Sequence, residues 1–282
     1  MSKGPTPAME QFYEMKSRYP GCVLFFQMGD FYETFGEDAE LISRELEITL
    51  TSRGKDMNGE RMPLAGVPIH AGEAYIARMV KKGYRVAVCD QVEDPKKAKG
   101  VVKRDVVRVI TPGTVIDSSM VPSEGQAYLM AVVPDTKHSI FGLAFLDITT
   151  GEFFVTTCRA DDGGNGLLSA VDRTVPRECL LPQSLSPRVQ PLLEGRGIAI
   201  TSRGAEYFDH KEALSRLTRQ FGVSTLEGFG CNDMDEAVSA AGACLRYATR
   251  HRSLIWGISV HCTHDCLSMG WCLMQSRCAI LN

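Results

Sequence analysis

In the stretch FFQMGDFYETFGEDAE (residues 25–40), the rings Phe25, Phe26, Phe31, Tyr32 and Phe35 stand among acids that include Asp30, Glu33, Glu37 and Asp38. A buried strand excludes such acids, and an exposed loop excludes so many rings. The pair Phe31 and Glu33 is the part able to do chemistry. Positions i and i+2 share a face of an extended strand but diverge on a helix. Extended pairing is favoured by the Gly29-Asp30 turn and by aromatic β-propensity. Phe31, Glu33 and Phe35 are then expected on one face, with Tyr32 and Thr34 on the other. A ring that inserts, beside a carboxylate that accepts or shares a proton, is the kind of apolar wedge that opens a base step from the minor groove. A carboxylate is repelled by phosphates, so beside DNA it makes sense as a discriminator between arrangements of bases. The same spacing also describes a core ring next to a solvated acid, and spacing alone leaves both readings open.

Other residues are candidates of the same kind. Arg53-Gly54-Lys55 follows a strand at a turn and suits phosphate contact, and Met28 lies close to the same tip. Lys96, Lys97, Lys99, Lys103, Arg104 and Arg108 form a basic run that either binds phosphates or is a solvated surface, with Arg108 partly structural because it falls in a strand. Tyr32 reads as a packing residue behind the ring. Asp147, Glu152 and Glu178 are the carboxylates a metal-dependent nuclease would need in the second half, but they make no convincing two-metal set. Asp147 reads as a turn cap before Thr149-Thr150-Gly151. No GxxxxGK[ST] phosphate loop occurs in the sequence, and the glycines of DDGGNG (161–166) read as a loop.

Elements must position these residues. The 282 residues are 44% hydrophobic and 23% charged, which suits a globular chain of about two domains. Net charge is −3; residues 1–118 hold 17 basic and 17 acidic side chains, so 17 − 17 = 0, and the remainder 14 − 17 = −3. Any nucleic-acid contact therefore comes from a local patch rather than from the overall field. No apolar run reaches the ~20 residues of a membrane span, and MSKGPTPAMEQ has no apolar core of a secretory signal.

Thr6-Pro7 reads as the start of a helix that Pro20-Gly21 stops. CVLFFQ (22–27), EITLTSRG (47–54), YRVAVCDQV (84–92) and DVVRVIT (105–111) read as strands, and 71–83 as a helix ended by Gly83. Alternating strands and helices make residues 1–116 one α/β domain. Residues 112–126 are rich in Pro, Gly and Ser, so 117–126 is taken as a linker. AYLMAVVP, SIFGLAFLDIT and GEFFVTT then follow as hairpin strands, with helices over 209–221 and 234–249, giving a second α/β domain over 127–250. Cys22, Cys89, Cys158 and Cys179 read as small core hydrophobes in a reducing compartment. Six further cysteines crowd into residues 231–282, and the spacing of Cys262, His264, Cys266, Cys272 and Cys278 suits no common zinc site.

YPGCVLFFQMGDFYETFGEDAELISRELEITLTSRG, MPLAGVPIHAGEAYIARMVKKGYRVAVCDQVEDP, VVKRDVVRVITPGT, AFLDITTGEFFVTT and AAGACLRYA occur in an order that resembles the N-terminal part of the MutS family of DNA mismatch-repair proteins. The resemblance covers residues 5–258. It implies a mixed-sheet α/β mismatch-recognition domain followed by a ribonuclease-H-like connector domain. It implies that Phe31 stacks beside a mispaired base from the minor groove of kinked DNA and that Glu33 hydrogen-bonds that base. Met28, Arg53, Lys55, Lys103, Arg104 and Arg108 would support the tip or contact the backbone. Expected partners are mismatched duplex DNA and a MutL-type protein docking on the connector. A homodimer is expected of the full-length protein and a monomer of this fragment, with no membrane. The location expected is cytoplasmic and nucleoid-associated. No cofactor is expected in these domains; ATP and magnesium belong to an ATPase domain elsewhere in full-length members, so this chain is expected not to be an enzyme. Rival readings are a nuclease built on the second domain and a docking fragment with no DNA binding of its own. Residues 251–282 are taken as a truncated start of the core domain with an aberrant tail, HCTHDCLSMGWCLMQSRCAILN (261–282) departing from the family pattern.

Overall fold

The computed structural model describes residues 6–55, 61–93, 100–114, 127–135, 140–160, 163–231, 233–250 and 272–274. Contacts divide the chain after Thr111 into two compact units.

In the first unit, helix α1 (Pro7–Arg18) begins at a proline whose missing N–H costs nothing there; Thr6 holds the N-cap position in extended conformation without a side-chain bond. Strand β1 (Val23–Met28) leads through the Gly29-Asp30 turn into β2 (Phe31–Phe35). Gly29 has φ 59°, the left-handed geometry that a two-residue hairpin turn demands and that glycine adopts freely. Helix α2 (Glu37–Leu46), β3 (Thr51–Lys55), β4 (Arg61–Pro68), α3 (Ile69–Lys81), β5 (Val86–Gln91) and β6 (Arg104–Ile110) complete the unit. The sheet runs β3-β4-β2-β1-β5-β6, with β1 and β5 parallel and the other pairs antiparallel.

β1 is the central strand, and Val23 to Phe26 are buried on both faces, which explains its continuous apolar run. On one face Phe12 and Met15 of α1 pack with Leu24, Phe26, Phe35, Met62 and Leu64. On the other lies α3, where Gly72 lets the Tyr32 ring approach so closely that an added Cβ would stand 2.8 Å from it. Two expectations change here. EITLTSRG is not one strand: α2 ends at Glu47 in left-handed conformation, and pairing starts only at Thr51. β4, for which the sequence carried no strand expectation, occupies an inner place in the sheet.

The second unit opens with a meander, β7 (Tyr128–Asp135), β8 (Ile140–Asp147) and β9 (Phe153–Arg159). It continues through α4 (Asn165–Thr174), β10 (Glu178–Pro182), α5 (Ser186–Leu193), β11 (Ala199–Arg203), α6 (His210–Phe221), α7 (Asp235–Arg250) and a short β12 (Cys272–Met274). The order is β11-β10-β7-β8-β9-β12, with β10 parallel to β7 and β11 parallel to β10. Apart from β12, this is the strand order expected of a ribonuclease-H-like sheet. Both faces are covered. Ala237, Ala241, Cys244 and Tyr247 of α7 pack on one, and Leu167, Val171, Val189 and Leu193 of α4 and α5 on the other. Of the glycines read as a plain loop, Gly163 and Gly164 lead into α4 at Asn165, and Gly166 lies in its first turn.

Residues 112–114 are buried within this unit, and the Gly113 N–H donates to Glu178 Oε2 at 3.2 Å. Residues 115–126, which hold the expected linker, lie outside the described residues, as do Cys262, His264, Cys266 and Cys278. Among the described residues Cys22, Cys89, Cys179, Cys231 and Cys244 are buried, while Cys158 is half-buried. Among those same residues no helix is long and apolar enough to cross a membrane.

Candidate nucleic-acid interface

The pleat of β2 divides its side chains as alternation demands. Tyr32 and Thr34 are buried on the α3 side. Along the opposite face burial falls off toward the turn: Phe35 is buried against Phe12 at a ring separation of 4.9 Å, Glu33 is half-buried, and Phe31 is 47% exposed. Phe31 is the one aromatic among the exposed large hydrophobics of the described residues. Its strand neighbours are Met28 on β1 and Pro68 on β4. Met28 is half-buried and packs on the core, so it supports the root of the ring.

Glu33 stands across from Phe26 on β1 and Gly66 on β4. Its Oε1 lies 3.5 Å from Nη1 of Arg53 on β3, whose side chain is 63% exposed against 15% for Glu33. Glu33 Oε2 is shut from solvent and has no hydrogen-bond partner. Burial pushes the Glu33 carboxyl above the usual carboxylate range, and Arg53 pulls it part of the way back. The tip thus combines a solvent-facing ring, an acid whose carboxyl burial raises, and one oxygen without a partner.

Behind the tip, Tyr32 is buried, and its hydroxyl donates to Asp90 Oδ1 at 2.8 Å. Burial, and next the hydrogen bond to Asp90, drive the phenol far above its ordinary range, so it stays a neutral donor. The basic candidates separate. Lys103 is exposed, and its backbone N–H donates to Glu93 Oε2 at 3.1 Å. Arg108 pairs with Glu73 of α3 on Tyr32's side of the sheet, away from Phe31. Arg104 takes the supporting place. It is 7% exposed, donates to Gln27 O at 2.7 Å and Val102 O at 2.9 Å, and lies 5.1 Å from the centroid of Phe26. Pairing of β6 with β5 turns this cation inward, where it braces the core. The Lys55 side chain and Lys96, Lys97 and Lys99 lie outside the described residues.

In the second unit the carboxylates serve the fold. Asp147 Oδ1 accepts from Thr149 N at 2.8 Å, Thr149 Oγ1 at 2.6 Å and Thr150 N at 3.4 Å, which is a turn cap. Glu152 accepts from the Tyr128 hydroxyl at 2.5 Å. Glu178 Oε1 accepts from Tyr247 at 2.6 Å and Thr201 at 2.7 Å. Among the described residues no cluster of His, Cys, Asp or Glu is suited to hold a metal ion. Sequence reasoning did not single out Gly66, Gly72 and Asp90, which hold Glu33 and Tyr32 in place. The signal for Gly72 was a helix-breaking residue inside a helical pattern, which marks a close approach.

Fold and tip define a two-domain α/β chain that presents a ring and an acid from a sheet rim. The description MutS domain I matches residues 6–119, and MutS domain II matches residues 127–253. The DNA mismatch repair protein MutS of Methanosarcina acetivorans is 52% identical over 258 residues, covering 88% of this chain and 29% of that relative. The proteins of that name from Symbiobacterium thermophilum and Alkaliphilus metalliredigens are 48% and 41% identical, covering 86% and 94% of this chain and 28% and 31% of those relatives. The chain belongs to the MutS family and carries its domains I and II. It spans about 29% of the length of the curated relatives it matches.

Proposed function

We propose that this chain serves DNA mismatch repair by recognising mispaired or looped-out bases in duplex DNA through its first domain. One observation carries the reading: Phe31 stands 47% exposed at the rim of a sheet whose other aromatic rings near it are buried, beside an acid with an unpartnered oxygen. The ring enters a base step from the minor groove, and the DNA kinks there. Unstacking a step costs about a few kcal/mol, and less where pairing is already lost. Deformability therefore selects the site, and one ring serves many mismatches. Glu33 adds a directional hydrogen bond to the displaced base. Arg53, Lys55 and Lys103 approach phosphates or sugars, while Arg108 contributes only if it leaves Glu73.

The second domain transmits the bound state to ATPase domains and a MutL-type partner in full-length, dimeric members of the family. ATP and magnesium act in those ATPase domains, and the two domains described need no cofactor for binding. The setting is the cytoplasmic nucleoid. The test compares matched and G·T-mismatched duplexes at one salt concentration, because phosphate contacts make affinity salt-dependent. Preference for the mismatch that depends on Phe31 supports the reading; equal binding of both duplexes, or none, overturns it.

A further inference from the structure

We propose that Arg53 is the specificity-determining counterion of Glu33: it pairs with the carboxylate in the DNA-free chain, then transfers to a backbone phosphate and frees Glu33 to act on a mispaired base. The inference rests on the mismatch-binding reading above and names how that site is regulated.

The geometry is that of an exchangeable ion pair. Only Glu33 Oε1 meets the guanidinium, at 3.5 Å, and the Arg53 side chain is 63% exposed. Such a contact is weak and open to competition. A phosphate offers the same guanidinium two oxygens and charge-assisted bonds. Glu33 cannot follow, because its side chain is 15% exposed and rooted in an inner strand.

The groups facing Glu33 leave Arg53 as its one strong electrostatic neighbour among the described residues. Beside it on β1 and β4 stand Phe26 and Gly66, and α1 presents Phe12 and Met15 to the same face of the sheet. Burial raises the carboxyl, and Arg53 alone opposes it. When Arg53 leaves, burial acts unopposed and nearby phosphates add to it. One proton then comes from solvent onto a carboxylate oxygen, and no other covalent bond changes. The neutral acid is no longer repelled by the backbone and gains an O–H donor. Glu33 Oε1, the oxygen that the departing guanidinium frees, is the atom through which it acts.

The sign follows from linkage. The bound state holds Glu33 at a higher pKa than the free state, so binding takes up a proton. Affinity for the mismatch is greatest at low pH. It falls as pH rises through the interval between the free and bound values, by up to tenfold per pH unit for one proton. Removing Arg53 raises the free-state value toward the bound one and flattens that dependence.

The experiment uses the 282-residue chain as wild type, Arg53→Gln, Arg53→Lys and Glu33→Gln. Carbon-13 NMR of the Glu33 carboxyl gives its titration midpoint without DNA. Affinities for G·T and matched duplexes are measured from about pH 6 to 9 at one salt concentration, spanning the fall that linkage requires. Arg53→Gln is expected to raise the midpoint, Arg53→Lys to restore it, and the pH slope of G·T binding to flatten in Arg53→Gln and vanish in Glu33→Gln. An unmoved midpoint, or superimposed slopes for wild type and Arg53→Gln, overturns the proposal while leaving mismatch preference standing. Absence of that preference in the wild type overturns both.

Discussion

Phe31→Ala separates a functional ring from a structural one, because the two roles predict different magnitudes. Full burial of a phenylalanine contributes about 1.5–3 kcal/mol to folding. Phe31 is 47% exposed, so roughly half of that, near 1 kcal/mol, is at stake for the fold. A loss of this size lowers Tm by about 4–8 °C for a domain of roughly 100 residues. Stacking a ring on a base is worth about 1–3 kcal/mol, which corresponds to roughly 5- to 150-fold in affinity. The matched duplex offers no weakened step, so its affinity should change less than about twofold. Phe26→Ala is the control for a core ring: Phe26 is fully buried, and its truncation should cost about 3–5 kcal/mol and unfold the first domain. Thermal melts with fluorescence anisotropy on both duplexes read all of this together. The reasoning is refuted if Phe31→Ala keeps the preference for mismatched DNA, or if it melts as far below wild type as Phe26→Ala.

Arg104→Ala should destabilise the first domain by about 2–4 kcal/mol in urea titrations, since it removes two buried donors and the cover over Phe26. The salt slope of DNA binding by its folded fraction should stay unchanged, whereas Lys103→Ala should reduce that slope by about one. Gly72→Ala should cost about 1–3 kcal/mol by overpacking, as its Cβ would stand 2.8 Å from the Tyr32 ring; near-ultraviolet circular dichroism should register the displaced tyrosine. Tyr247→Phe should cost about 1.5–3 kcal/mol by removing a bond to a buried carboxylate, and calorimetry should show the loss in the second domain's transition alone.

How far the sequence could be read depends on what each residue's surroundings required. The β1–β2 hairpin was legible because a positive-φ glycine and pleat parity are local properties. Parity alone correctly set Phe31 and Glu33 against Tyr32 and Thr34. β4 was not legible, because Pro63, Gly66 and Pro68 argue against a strand until its neighbours are known. Pro68 closes the strand, while Gly66 faces Glu33 where a Cβ would press on Tyr32 O at 3.1 Å. Missing β4 also hid the partner of Glu33, since β4 is the strand that carries β3 and Arg53 to it. The place of Arg104 was hidden for a related reason. A run of cations is visible in a sequence, but which cation turns inward is decided by the pairing of β6 with β5. α5 carries Pro187 and Pro191, and α4 follows glycines, so neither announced itself by helical pattern.

The same topology explains why the exposed ring is not an untidy edge of the core. β2 lies between β1 and β4, so its backbone is held on both sides and its side chains have fixed directions. An inner strand can offer a ring to solvent only where it leaves the layers that cover it, and Phe31 is its first residue. There the ring stands between Met28 and Pro68, with little freedom to lose when it stacks. Two residues deeper the same face is half-covered, enough to raise the Glu33 carboxyl without sealing it off. Two residues deeper again, Phe35 is in the core. A single strand crossing from rim to interior thus sets a rigid wedge and a tuned acid side by side, and neither property survives a shift of one residue in register, which would exchange this face for Tyr32 and Thr34.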